Sequence, residues 1–347
     1  MSSQGYRRVK WGLIGAGDFG TMYARQLTSL PNVELVSVYS RTEENARKLA
    51  GDFGVKKWYT DYEKLLAGDE VEAVAIVTPE PHHYAPTIAA LKARKHIVLE
   101  KPIAPTLKEA DEMIAAAKKN PDRLFMVAHI LPFHTHYALA KAEIDQGAVG
   151  QIVSMYARRN APAMWGAKLQ HHSSAIFDEM IHDMECMLWF TGWKVKKVYC
   201  QTKNVRGLKK PDICWAMFTF ENGAIAVIEA NWFLPNNTPV ISAMESLMEI
   251  QGTEGVIHID LFDQGLRVND KNGFRMPDAS WWPEKHGRTE GALGDEIRYI
   301  ADAVMYGRKL PNDLCNPERA RHALAAVLAA EKSGEEDRVI TLAELGR

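Results

Sequence analysis

Six residues limit the fold of this chain more than any others: Gly15-Ala16-Gly17-Asp18-Phe19-Gly20. They follow an apolar run that begins at Val9, and they open a stretch in which Phe19, Tyr23, Leu27 and Leu30 keep helical spacing. A Gly-x-Gly-x-x-Gly turn between a strand and a helix has a physical reading. Gly15 permits the tight turn, Gly17 lets backbone approach a pyrophosphate, and Gly20 lets the helix pack closely on the strand. The helix amino terminus then offers N–H donors to the phosphates, with Asp18 and Phe19 in the same turn. The plainer alternative is a glycine-rich turn that binds nothing, and the order strand, glycines, helix favours binding.

The surrounding chain agrees with that turn. Residues 9–15, 35–40, 73–78, 96–100 and 124–130 read as buried or half-buried strands, and residues 42–53, 86–94 and 106–119 as helices between them. This alternation predicts a doubly wound parallel sheet. Beyond Ile130 the pattern changes. A helix near 134–146, a strand at 151–158 and a long helix over 174–190 lead to longer, aromatic-rich strands at 194–202, 213–220, 224–232, 242–251 and 255–262. These predict a large, open, mostly antiparallel sheet. Helices over 289–306 and 316–333 and a short strand near Val339 close the chain. The expected class is α/β, with one domain over 1–128 and a second α/β domain over 129–347.

In a dinucleotide fold the residue roughly 20 positions beyond the glycines reads the ribose, and an acid there suits the 2′-hydroxyl of NAD. Here Ser40 and Arg41 stand instead. A carboxylate would repel a 2′-phosphate, whereas Ser40 can donate to it and Arg41 can pair with or stack near it, so the reading favours NADP and leaves NAD open. The competing reading of Arg41 is a solvated charge before a helix capped by Thr42. Ligands of open parallel sheets bind at the carboxyl ends of the strands. Thr78-Pro79-Glu80-Pro81-His82-His83 reaches that edge, with a histidine to line the nicotinamide side. Glu100-Lys101-Pro102 ends another strand. There Lys101 points at the chemistry, Glu100 bonds cofactor ribose hydroxyls or holds the lysine, and Pro102 fixes the backbone. His129 ends the last strand at the same edge and is a substrate candidate.

Gly15-x-Gly17-x-x-Gly20, Thr78-Pro79 with His83, and Glu100-Lys101-Pro102 together resemble the glucose-fructose oxidoreductase, inositol dehydrogenase and MocA family, across essentially the whole chain. The resemblance implies a Rossmann domain followed by an α/β domain whose open sheet often builds oligomer interfaces, hence a homo-oligomer, dimer or tetramer. It implies that Lys101 stands at the reacting carbon. It also implies that an aspartate and a histidine four residues apart in the long helix, Asp178 and His182 here, complete the site. Independently of the family, those two residues project from one helix face beside an apolar stripe of Phe177, Met180, Ile181, Met184 and Leu188. An exposed polar helix face is the plainer reading. A metal site from His171, His172, Asp178, His182 and Asp183 is another, but no thiolate pair joins it and hydride chemistry already uses two of its members, so no metal is expected.

The implied activity is transfer of a hydride between a nicotinamide cofactor and a carbinol or carbonyl carbon of a sugar, cyclitol or related polyol. His182 is read as the base, Lys101 as the group that stabilises the substrate oxygen, and Asp178 as the residue that orients them; the roles of Lys101 and His182 are open to exchange. Arg158 and Trp165 offer a fork donor and an aromatic plate for a polyol, although the first also fits a solvated strand end and the second a core or interface anchor. Trp215, Phe218 and Trp232 read as packing or subunit interface. Charge argues for a small-molecule partner: 42 Lys and Arg against 44 Asp and Glu give no field for nucleic acid or an anionic membrane. The four cysteines are scattered, which suggests reduced thiols and a cytoplasmic address, and neither a signal peptide nor a membrane anchor is visible. Two rivals stand beside this reading. One is a glycosidase that uses NAD for transient oxidation and elimination; the other is a nonenzymatic sugar or dinucleotide sensor, against which Lys101, Asp178 and His182 argue.

Overall fold

The computed structural model describes residues 7–68, 70–238, 245–309 and 314–345. The chain divides into two units, Met1–His129 with Glu284–Glu318 and Ile130–Pro283 with Arg319–Arg347.

In the first unit, strands β1 (Val9–Ile14), β2 (Val33–Tyr39), β3 (Lys57–Tyr59), β4 (Ala73–Ile76), β5 (His96–Glu100) and β6 (Phe125–Ala128) form one parallel sheet in the order β3-β2-β1-β4-β5-β6. Every residue of β4 and β6 is buried, as a sheet covered on both faces requires. Helices α1 (Asp18–Ser29), α2 (Glu43–Asp52), α3 (Tyr62–Leu66), α4 (Tyr84–Lys92) and α5 (Leu107–Lys118) connect the strands. Local chemistry sets their ends. Thr106 accepts the Glu109 N–H at the start of α5 while its hydroxyl donates to the Glu109 carboxylate, and Asp61 accepts the Glu63 N–H at the start of α3. The strand order reverses between β1 and β4, which places the ligand crevice of this topology at their carboxyl ends. The short β3 and α3 have no counterpart in the sequence reading: β3 is three residues long with two of them exposed, so no alternation shows.

The helix Gly291–Tyr306 belongs to this unit, where the sequence reading gives everything from 129 onward to the second domain. Gln26 Nε2 donates to the Gly294 carbonyl at 3.2 Å, and Asn32 Nδ2 to Asp302 Oδ1 at 2.8 Å. An apolar stripe such as Leu293, Ile297, Ile300 and Val304 says that a helix is packed, not against which core.

The second unit holds α6 (Thr135–Asp145), β7 (Ile152–Pro162), α7 (Ala163–Leu169), α8 (Ile181–Thr191), β8 (Val195–Lys203), β9 (Ile213–Phe220), β10 (Ile225–Leu234), β11 (Glu245–Gly252) and β12 (Val256–Asp260), then the helix Pro317–Glu336 and the strand Ile340–Thr341. Its seven-stranded sheet runs β12-β11-β7-β10-β9-β8 and ends on the strand Ile340–Thr341; only the central β7–β10 pair is parallel. Along β9, Cys214, Ala216, Phe218 and Phe220 are buried while Trp215 and Met217 stand 46% and 54% exposed, so one sheet face is core and the other open. The first residues of the strand expected over 242–251, 242–244, lie outside the described residues. The helix expected over 174–190 comes in two registers, a π-helical turn at Ile176–Met180 that runs into α8. No helix among the described residues is long and apolar enough to cross a membrane.

Candidate active site

The three glycines after β1 do three different things. Gly15 has φ +127°, and a Cβ there would lie 2.6 Å from the Val77 carbonyl oxygen. A Cβ on Gly20 would lie 2.3 Å from the carbonyl oxygen of Gly15, so the close packing of helix on strand depends on it. Gly17 is constrained by neither. Its φ of −85° suits any residue, and a Cβ there meets nothing within 4 Å. A missing side chain that the protein itself does not require fits a ligand seated on the turn. Gly17 is also the cap position of α1, where it brings no side chain of its own to the helix amino terminus, the end at which backbone N–H groups suit an anion. The turn therefore fits a dinucleotide pyrophosphate. At the end of β2, Ser40 is buried and its N–H donates to the Tyr59 carbonyl at 3.1 Å, while Arg41 is exposed. Thr42 occupies the cap position of α2 without making a side-chain cap bond.

The loops after β4 and β5 meet. Tyr23 of α1 donates its hydroxyl to Glu100 Oε1 at 2.9 Å, and Glu100 Oε2 accepts the Lys101 N–H at 3.1 Å. Glu100 thus accepts from the Lys101 backbone, which fits the role of holding the lysine. Burial, then the charges of Glu100 and Glu296, push the Tyr23 phenol well above its usual pKa, so it remains a donor. Lys101 itself is half-buried, and its peptide bond to Pro102 is cis. Thr78 Oγ1 donates to the His82 carbonyl at 3.1 Å. His83 corrects an expectation. It is fully enclosed, with Nδ1 2.8 Å from the Pro102 carbonyl oxygen and Nε2 2.8 Å from that of Thr78, so neither nitrogen is left for a cofactor. His129 follows β6 at the expected edge and is buried.

In the second unit the helix carrying Asp178 and His182 is nearly all core. From residue 173 to residue 190 every position is buried except these two, which are half-buried. The helix's other acids are engaged elsewhere. Glu179 Oε1 accepts the Trp232 indole N–H at 3.2 Å, and Glu185 Oε1 accepts Arg319 Nε at 2.6 Å. Asp183 takes Arg159 Nε and Nη2 in a bidentate pair, 2.8 Å each, and Arg159 also donates to Ser246 Oγ at 2.9 Å and the Tyr137 hydroxyl at 3.4 Å. Burial works to discharge Arg159, but the Asp183 carboxylate, followed by Tyr137, outweighs it and holds the pKa above its usual value. Asp183 is therefore committed to an arginine, and among the described residues no three His, Cys, Asp or Glu side chains gather as cation ligands.

The bonding of Arg159 to α8 also fixes Arg158, because successive strand residues face opposite ways. Arg158 projects from the other sheet face, where Nη2 meets Glu245 Oε1 at 2.9 Å, so the structure does not bring it to Asp178 and His182. Trp165 lies half-buried on α7. That helix seats closely on β10, since a Cβ on Gly166 would fall 2.7 Å from the Trp232 ring. Through Trp232 and Glu179, α7 is thus linked to the neighbour of Asp178. The sequence reading missed Tyr23, Arg159, Asp183 as an ion-pair partner, and the Trp232–Glu179 bond. Only Arg159 carried a readable signal: it falls in step with Met155 and Ala157, two buried apolar positions of β7.

Residues 9–129 match the model of an oxidoreductase family with an NAD-binding Rossmann fold, GFO/IDH/MocA, and residues 137–258 match the GFO/IDH/MocA carboxyl-terminal domain. The chain is 25% identical to a myo-inositol 2-dehydrogenase of Thermotoga maritima, over 97% of this chain and 99% of that one. It is also 25% identical to a 2,7-anhydro-N-acetylneuraminate hydratase of Mediterraneibacter gnavus, over 98% of each. In fold it is similar to the crystal structure of scyllo-inositol dehydrogenase from Lactobacillus casei with bound NAD(H) and scyllo-inositol, with a TM-score of 0.84 at 21% identity, covering 97% of this chain and 100% of that one. With its glycine turn, its Glu100-Lys101-Pro102 strand end and both family models in the expected order, the chain belongs to the GFO/IDH/MocA family of oxidoreductases, and its first domain is the family's NAD-binding Rossmann fold.

Proposed function

We propose that the protein is a dehydrogenase that oxidises a CH–OH carbon of a sugar, cyclitol or related polyol, or reduces the corresponding ketone. The observation that carries this reading is the segment 173–190, most of it helical, in which every residue is buried except Asp178 and His182, and these two are half-buried. One acid and one imidazole half-buried on an otherwise enclosed segment cost core and suit chemistry. The nicotinamide, when bound, takes or gives the hydride. The chain's own task is the proton. His182 accepts it from the substrate hydroxyl during oxidation and returns it during reduction, Lys101 donates a hydrogen bond to the developing alkoxide, and Asp178 orients the pair; exchange of the first two roles is the variant of this scheme.

In this reading the domain over 1–128 carries the cofactor, through Gly15, Gly17, Asp18, Phe19, Gly20, Ser40, Arg41, Thr78, Pro79, Glu100, Lys101 and Pro102, and the domain over 129–347 supplies the substrate contacts. Ser40 and Arg41 favour NADP over NAD, because neither repels a 2′-phosphate. Trp165 and His129 remain substrate candidates, and Arg158 leaves the set. The similarity to inositol dehydrogenases favours a cyclitol or sugar. The open sheet face with exposed Trp215, Met217 and Ile225 favours a homo-oligomer, and four buried free cysteines suit a reducing cytoplasm.

One specific similarity favours a second reading. A relative that aligns over 98% of each chain is a hydratase, so net addition or elimination of water, with the cofactor returned to its starting redox state, is the alternative. Titration of the protein with NADPH and NADH, followed by a panel of polyols and sugars read at the nicotinamide absorbance, separates the two. Net absorbance change with a polyol supports the dehydrogenase; product formed at constant absorbance supports the alternative. Tighter binding of NADH than NADPH overturns the cofactor assignment.

A further inference from the structure

The first unit contains a buried titratable group that the proposed chemistry leaves unused. His83 touches two backbone carbonyl oxygens, of Pro102 and Thr78, each at 2.8 Å. Carbonyl oxygens only accept, and a neutral imidazole carries a single N–H, so both contacts are hydrogen bonds only when both ring nitrogens are protonated. The backbone under the ring is pinned as well: Thr78 Oγ1 holds the His82 carbonyl, and Thr87 Oγ1 holds the His83 carbonyl at 2.7 Å. Two charged groups face the ring. Glu80, in its own turn, favours the second proton, and Lys101, on the segment after β5, opposes it.

We propose that His83 is the positioning residue of Lys101: donating from both ring nitrogens, it ties the Pro102 carbonyl, one residue from Lys101, to the loop that carries Thr78, and loss of one proton opens one of those ties. This rests on the reading of Lys101 as the group that meets the substrate oxygen. Burial, the largest effect on the ring, lowers its pKa below the ordinary histidine value, and the two carbonyls and Glu80 pull the other way. Both ties are therefore closed on the acid side of that pKa, and one is lost as pH rises through it, the proton passing to solvent.

The test needs no ligand. In the full chain labelled with 15N-histidine, ring N–H signals are followed from about pH 4.5 to 8. One histidine is expected to show two slowly exchanging ring N–H signals in acid, both absent from His83→Gln, with one disappearing as pH rises. A single N–H from His83 at every pH at which the chain is folded overturns the proposal. A second arm uses turnover. His83→Gln keeps one donor nitrogen, so on the acid side of the ring's pKa kcat is expected to fall about tenfold or more, with little change on the alkaline side, while NADPH affinity stays within about twofold, and the limb of the kcat–pH profile that follows the ring is lost. Unchanged kcat and an unchanged profile overturn it too. If the unsubstituted chain shows no dehydrogenase turnover, the functional reading fails, and the ring spectrum still decides the role of His83.

Discussion

At the scale of single residues, two neighbouring glycines should respond oppositely to the same change. Gly17→Ala adds a methyl that meets nothing in the protein at an ordinary φ, so unfolding by urea should change by no more than about 1 kcal/mol, whereas NADPH or NADH binding should weaken roughly tenfold or more. Gly20→Ala drives a methyl against the Gly15 carbonyl and should cost stability first, about 1–3 kcal/mol. A Gly17→Ala protein that binds cofactor normally removes the pyrophosphate from that turn. Lys101→Met should keep cofactor affinity, because Glu100 holds the lysine through its backbone, and should lose about 10²–10³ in kcat. Full activity in that variant dismisses Lys101 from the chemistry. The sequence was most readable at these positions, since glycine, proline and charge at a strand end have few uses. It misled at His83, because no pattern distinguishes a histidine that faces a crevice from one that braces the loop behind it.

At the scale of elements, the support of the Asp178–His182 helix is the buried pair of Arg159 on β7 and Asp183. Asp183→Leu alone leaves an arginine charge without its carboxylate in the core and should destabilise the protein by about 3–5 kcal/mol. Adding Arg159→Met should recover part of that loss, and a urea-unfolding cycle over the four proteins measures the coupling. If the double variant is no more stable than the worse single one, the pair does not act as a unit. The elements legible in advance were those with a clear period: β5 and β9 appear with the expected bounds, and α2 and α5 begin one residue inside theirs. β3, α3 and α7 are too short for a period to register. The π-helical turn at Ile176–Met180 is hidden for the opposite reason, since a segment that is apolar on nearly every side carries no phase. The period of the helix Gly291–Tyr306 is legible in sequence, but the unit it joins is not, because partner choice depends on contacts distant in sequence.

At the scale of the whole molecule, several histidines are held neutral by burial. Burial first, then the charge of Arg123, lowers the pKa of His96 to about 4; burial, then His136 and Arg159, lowers that of His134 to about 3. The unfolded chain takes up these protons near pH 6.5, and the folded chain does so only near the lowered values. The neutral rings therefore contribute stability above about pH 6.5 that is lost as pH falls towards 4 and 3. His134 accepts the His136 N–H on Nδ1, so its proton sits on Nε2 and goes to Ser280 Oγ at 2.9 Å. His134→Gln retains a donor without the titration, and its unfolding midpoint should fall less steeply between pH 6.5 and 4 than that of the parent. An identical slope means that other groups govern acid unfolding.

The position of β7 has a consequence for how the chain is made. This strand lies mid-sheet, yet both neighbours, β10 (Ile225–Leu234) and β11 (Glu245–Gly252), come far later in sequence. As the chain leaves the ribosome, β8, β9 and β10 can zip together as consecutive antiparallel neighbours while β7 waits with both edges unpaired. During that interval the strand that carries Arg159 is exposed to wrong partners, and production of this protein is governed by how quickly β10 and β11 follow.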